Sequence, residues 1–424
     1  MKRFFLFPFL CAIAALSLFC VACDKSMDAE GDIEDGINAV SDNDSNIFKP
    51  LELSTKSASL VNDGFGFTFS FIDQINSATE GDYVVSPLSM QFLLGMILNG
   101  AQGETAAEIS KVLGYGADGV DDVNEYVSSM LEQLPAMDKQ TTLAMANGIF
   151  VNAPYPLKDN YKKTVVKYYD AAVANLDFKD NENSLKAING WCAEHTNDLI
   201  PKIIDGVQPD MLAYHLNALY FKSQWKYPFD KKDTALETFT NESGTKKEVS
   251  MMKKESLFPY IENDIFKAVK LPYGNGAFSM VVMLPKDGHS VSDITAELCK
   301  TDWHNFFTYT MRSSKVNLWL PKFETGSDIQ LNEILKTMGM PQSFSETADF
   351  KALSDYAAHL AFVKQVATIT VDESGAEAAA VSGAGTLVSS MPEEVELHAN
   401  HPFLYLIAEQ STGAVLFAGR YSGM

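Results

Sequence analysis

The sequence predicts an α+β fold with large sheets. Helical spacing crowds the first half of the chain, buried apolar runs of strand length crowd the second, and nothing between Leu51 and Arg420 looks like a linker. That span holds no Pro/Gly/Ser-rich stretch, repeat or low-complexity run, so a single domain, 51–424, is the simplest organisation. Taking the elements in order, Phe65, Phe67, Phe69 and Phe71 alternate, yet Gly64 to Ile75 also carries helical spacing, and periodicity leaves the two open. After Ser86-Pro87, the run Leu88 to Leu98 is apolar nearly all round, which predicts a buried helix closed by Asn99-Gly100. A further helix is predicted over Leu185 to Ile204. Leu216 to Phe221 and Ala277 to Leu284 read as buried strands, followed by Val316 to Leu320, Val366 to Val371, Phe403 to Ile407 and Ala414 to Ala418.

Of 424 residues, 46% are hydrophobic and 21% charged, globular usage that excludes a mostly disordered or collagen-like chain. Fifty-five acidic residues against 33 basic ones give a net charge of −22. That sign repels phosphate backbones, heparin and anionic membranes, so no nucleic-acid partner is expected.

Lys2 and Arg3 precede an apolar run, Phe4 to Val21, that closes on Ala22-Cys23, so residues 1–22 read as an export signal. Ala22-Cys23 resembles the lipobox of bacterial lipoproteins, although Cys20 stands where leucine is usual. The resemblance makes Cys23 the expected lipidation site and implies a lipid-anchored protein of the bacterial envelope, facing the periplasm or the cell surface. Eight acidic residues and only Lys25 between Asp24 and Asn46 read as a disordered tether, placed at 23–50. Cys192 and Cys299 then remain in the body, either as buried thiols or as one disulfide.

Catalytic signatures are missing. There is no Gly-x-Ser-x-Gly elbow, no Gly-x-x-x-x-Gly-Lys phosphate loop and no His-Glu-x-x-His zinc helix, and Gly64-Phe-Gly66 is half a dinucleotide fingerprint that reads as packing. His398 and His401 have no cysteine or carboxylate at ligand spacing, and Glu393, Glu394 and Glu396 read as a solvated loop end. The expectation is a protein that is not an enzyme and uses no cofactor or metal.

The unusual stretch is Glu373 to Ser390, small, smooth and almost uncharged. Read with period two, Ala376, Ala378, Ala380, Ser382, Ala384, Thr386 and Val388 share one face and Glu377 points the other way. Such a strip could slip between two strands. Composition alone fits a flexible Ala/Gly linker or an alanine-favoured helix as well.

Four blocks together resemble the serpin family over about residues 60 to 420. Val371 to Ala380 is similar to the family's hinge, and Asn217 to Trp225 with Pro228-Phe229 resembles its central-sheet signature. Ser86-Pro87-Leu88-Ser89 resembles the start of the helix beneath that sheet, and His401 to Leu404 with Gly419-Arg420 resembles the closing strands. The resemblance implies the serpin fold, three β-sheets with eight to nine helices and an exposed reactive-centre loop. It implies a hinge of Glu373, Gly375, Ala376, Glu377, Ala378, Ala379 and Ala380. It also implies a hydrogen-bonded shutter of Ser86, Ser89, Asn217 and Gln365, the last standing where many members place a histidine.

The activity implied is suicide inhibition. A protease attacks the loop, the acyl-enzyme forms, and the freed loop enters the central sheet as a new strand, a release of stored strain from a metastable fold. Counting from Glu373 puts the reactive bond at Ser389-Ser390, within the range Val388 to Met391. From Glu373 to Ser389 is 16 steps, or ~50 Å of strand at ~3.3 Å each. No Lys or Arg lies between Lys364 and Arg420, which disfavours trypsin-like enzymes. Leu387, Val388 and Ser389 suit elastase-like or subtilisin-like serine proteases, with cysteine proteases as a further class. A monomer is expected, touching a membrane only through its lipid. The rival reading is a non-inhibitory member whose loop is cleaved without trapping.

Overall fold

A computed structural model of the chain describes residues 46–116, 119–375 and 394–424. The export signal, Cys23, most of the tether and the loop residues Ala376 to Met391 lie outside the described residues. The first described stretch, 46–54, runs along the body. Asn46 donates to Asp138 Oδ1 at 2.8 Å and accepts from the Lys139 N–H, Leu51 N–H donates to Ser411 Oγ, and Glu52 and Gln133 exchange two hydrogen bonds.

Ser54 caps α1 (Thr55–Asp63) by accepting from the Ser57 N–H, and α2 (Phe65–Ala78) follows directly. The phenylalanine run is thus helical. Spacing of four brings Phe67 onto Phe71, stacked at 5.5 Å, and Phe65 toward Phe69 at 6.4 Å, which alternate faces of a strand would not do. After β1 (Tyr83–Val85), Ser86 caps α3 (Pro87–Gly100), with Pro87 in the first turn where its missing N–H costs nothing. Thirteen of the 14 residues of α3 are buried, so it is the central helix of the body. It passes so close to Tyr169 that a Cβ on Gly95 would stand 2.8 Å from the Tyr169 hydroxyl.

Next come α4 (Gly103–Leu113), α5 (Val120–Gln133), β2 (Thr142–Asn152), α6 (Asp159–Tyr169), β3 (Ala171–Leu176), α7 (Asn181–His195) and β4 (Ala213–Lys222). The helix expected to reach Ile204 stops at His195. Asn197 and Asp198 take left-handed angles, φ 52° and 61°, and Ile200, Ile203 and Ile204 are buried in irregular chain. Their apolar spacing reflects burial in one shared cluster beneath α7, not helix. Beyond β4 lie β5 (Ala235–Thr240), β6 (Lys246–Glu262), β7 (Phe266–Pro272), β8 (Phe278–Pro285), α8 (Val291–Leu298), β9 (Arg312–Pro321) and β10 (Phe323–Gln330). A helix, Asn332–Met338, then β11 (Lys364–Val371), β12 (Glu394–His398), β13 (Phe403–Glu409) and β14 (Val415–Tyr421) complete the chain.

Among the described residues these make nine helices of seven residues or more and three sheets. One has nine strands, ordered β1-β14-β13-β8-β7-β6-β9-β12 with β5 on β6; the others are β3-β2-β4 and β10-β11. The large sheet carries the fully buried strands β8, β13 and β14, whose near-continuous apolar sequences reflect burial on both faces. Cys192 is buried, Cys299 is exposed, and both are free thiols.

Candidate functional site: a seam between two sheets

Strand β4 pairs with β2 on one side, and β11 pairs with β10 on one side. Their other edges face a common seam, and among the described residues no ladder joins them. The Asn152 N–H takes the Leu212 carbonyl on the β2 side. Because backbone groups alternate sides along a strand, Ala213, His215, Asn217, Leu219 and Phe221 turn theirs to the seam. Burying such groups without partners is costly, and the seam carries the donors and acceptors to pair with one more strand.

The upper end of the seam is closed by the residues that follow β11. Trp225 N–H donates to the Ser374 carbonyl at 2.9 Å, its Nε1–H to the Asp372 carbonyl at 2.8 Å, and Phe229 N–H to the Glu373 carbonyl at 2.8 Å. Gln224 and Gly375 form an antiparallel bridge. Gly375 sits at φ 101°, and a Cβ there would lie 2.5 Å from Trp225 N, so both conformation and space require glycine. The Trp225 ring stacks on Tyr273 at 4.3 Å, which fixes the backbone donor that meets the hinge.

The Glu373 side chain is only 5% exposed, held by Lys322 Nζ at 2.7 Å and by the Thr234 hydroxyl at 2.9 Å. Desolvation would raise its carboxyl, but Lys322, a backbone N–H and Thr234 outweigh that and keep it below the ordinary glutamate range. Sequence reasoning found Glu373 and Gly375 but not Lys322 or Thr234, which are 51 and 139 positions away.

Beneath the seam the structure brings Ser86, Ser89, Asn217 and Gln365 into one network. Ser86 Oγ accepts from the Ser89 N–H, and Ser89 Oγ donates to Asn217 Oδ1. Gln365 clasps the Ser86 backbone twice, accepting from its N–H at 2.8 Å and donating to its carbonyl at 3.0 Å. The amide thereby ties β11 to the first turn of α3. The network runs on through a residue missed from sequence, Asn147, which accepts from Asn217 Nδ2 at 2.8 Å and donates to the Tyr169 carbonyl at 2.7 Å. A buried asparagine inside the apolar strand pattern of β2 was the available signal.

The lower end is open. A cavity of about 250 Å³ lies between the start of β4, the chain 357–364 that enters β11, and Leu93 and Ile97 of α3. Elsewhere, Glu394 is engaged by Asn317 Nδ2 at 3.0 Å and by Lys315 at 3.5 Å, and His398 meets Glu237 at 2.8 Å. Among the described residues no group of three or more His, Cys, Asp or Glu could hold a metal.

The model of the family Serpin (serine protease inhibitor) matches residues 64–423. Human Serpin B3 is 31% identical over 382 residues, covering 84% of this chain and 97% of its own. The thermophilic serpin tengpin, solved in the native state, superposes with a TM-score of 0.79 at 26% identity, over 89% of this chain and 97% of its own. Thyroxine-binding globulin in complex with thyroxine shares the fold at 23% identity and a TM-score of 0.71, over 85% and 98% of the two chains.

Proposed function

The chain belongs to the serpin family, and we propose that it is a suicide-substrate inhibitor that traps elastase-like or subtilisin-like serine proteases. The observation that carries this reading is the seam, which among the described residues is joined by no ladder along β4 and β11 and is bridged at its upper end by Gly375 and Gln224. The protease serine would attack the Ser389 carbonyl. Its Oγ–C bond forms, the Ser389-Ser390 peptide bond breaks, and the Ser390 amine leaves with the C-terminal fragment. Continued downward from the Gly375/Gln224 bridge, an antiparallel register sets Ala378 opposite Phe221, Ala380 opposite Leu219 and Ser382 opposite Asn217. Ala384 then meets His215 and Thr386 meets Ala213. Opposed residues share a face, and this is the face on which Asn217 meets α3. Small side chains enter that floor without displacing it, while Glu377 falls on the other face opposite Lys222.

A run of ~50 Å carries the attached protease from one end of the sheet to the other. Inhibition depends on insertion outrunning deacylation. The same reading takes residues 1–22 as a removed signal and Cys23 as the lipid-bearing residue, with the acidic stretch that follows holding the body off the membrane.

A specific observation favours a second reading, cleavage without trapping: the two-bond clasp of Gln365 on Ser86 holds β11 against α3 and resists opening of the seam. Incubating the chain from Asp24 with neutrophil elastase and with subtilisin separates the two. An SDS-resistant complex with a new N-terminus between Ser389 and Pro392 is the expected result. Clean cleavage without a complex, across a panel of serine and cysteine proteases, establishes the second reading instead. In the variant Ala378→Arg, a guanidinium must enter the floor opposite Phe221 at several kcal/mol. Cleavage should persist while the number of inhibitor molecules consumed per protease rises at least tenfold.

A further inference from the structure

The cavity at the foot of the seam has features that strand insertion alone does not explain. Its walls are largely apolar, from Leu93 and Ile97 to Leu212, Phe350 and Phe362, and the His215 ring sets a nitrogen among them. His215 lines the cavity, its Nε2 lies 2.9 Å from the Tyr161 hydroxyl, and its Nδ1 has no hydrogen-bond partner among the described residues. Burial drives the His215 pKa down to about 4, so the ring is neutral near pH 7 and offers a hydrogen bond without a charge. The other ionisable side chains lining it are Asp210, His359 and Lys364, and Lys364 is paired with Asp328 at 2.8 Å. An apolar cavity of about 150 Å³ admits benzene. At about 250 Å³ this one has room for two fused rings.

We propose that the foot of the seam is a binding site for a neutral two-ring aromatic molecule bearing one hydroxyl, and that its occupancy turns the protein from trap to substrate. The rings lie against Leu93, Ile97 and Phe350, and the hydroxyl meets His215. The second half of the proposal rests on the inhibitor reading. In the register set by the hinge, Ala384 and Thr386 must pass His215 and Ala213, which is where the occupant sits. An inserting loop then halts about two-thirds of the way down, and deacylation wins.

The probe is 2-naphthol, added to the uncleaved chain from Asp24 and followed by equilibrium dialysis. One saturable site is expected. Two variants should each weaken it at least tenfold: His215→Leu, which removes the nitrogen, and Ala361→Trp, which fills the mouth from an exposed position that the fold does not depend on. No saturable binding, or binding that both variants leave unchanged, overturns the site. With elastase, saturating 2-naphthol should raise the inhibitor consumed per protease trapped at least threefold in the parent chain and not in Ala361→Trp. Unchanged consumption with naphthol bound overturns the coupling. Cleavage without any complex in the absence of naphthol overturns the coupling together with the inhibitor reading, while dialysis still decides the site.

Discussion

The upper and lower ends of the seam are bounded by the same two strands and are built oppositely. At the top, Trp225, Phe229, Lys322 and Thr234 seize the hinge through directional bonds to the backbone of 372–374 and the Glu373 carboxylate. At the foot there is a cavity, with seam-facing backbone at Ala213 and His215 that no strand among the described residues meets. The residues that follow β11 are thus tied down at the head of the seam, the Gln365 clasp on Ser86 holds its middle, and the cavity lies at its foot.

The sharpest way to break this contrast is Glu373→Lys. It sets a second cation against Lys322 at a position where the native side chain is only 5% exposed. Unfolding should cost about 3 kcal/mol less in urea, with most of that recovered when Lys322→Glu is added. A smaller effect is expected midway down the seam. Gln365→Ala strands the N–H of buried Ser86, whose carbonyl keeps the Met90 N–H, lowering stability by about 2 kcal/mol and speeding insertion by removing the clasp between β11 and α3.

The smallest effect separates the two ends by pH. His215 has a folded pKa of about 4, below its unfolded value of 6.5, so the folded state binds its proton less well. Stability contributed by neutral His215 is full above pH 6.5 and declines as pH falls toward 4, by about 1 kcal/mol at pH 5.5. Glu373 is also depressed, so its contribution holds above the ordinary carboxylate range and is lost only as pH falls through its lower folded pKa. Urea midpoints at pH 7, 5.5 and 3 should show the foot responding first. His215→Leu should flatten the upper step and leave the lower one.

Elements whose pattern is local were legible in the chain. The apolar run of α3 behind Ser86-Pro87, and the continuous strands β8, β13 and β14, follow from burial on all sides, which leaves little room for polar residues. The end of α7 was not legible, because Ile200, Ile203 and Ile204 carry helical spacing while packing as irregular chain. In the site, Ser86, Ser89, Asn217 and Gln365 were found through resemblance to a family. Asn147, Lys322 and Thr234 were not, since each acts through a partner distant in sequence.

Sequence alone determined that the chain would bury large sheets around an apolar helix, and that a smooth, small-residue strip with glycine at its hinge would follow β11. Those are statements about side-chain size, period and backbone freedom, which each residue carries with it. Only the tertiary structure decided that β4 and β11 flank a seam that no ladder among the described residues closes, that Glu373 meets Lys322 at its head, and that a cavity lies at its foot. Strand pairing and buried polar contacts are relations between residues about 30 to 280 positions apart, and no local pattern records which of the many compatible pairings the packed core selects.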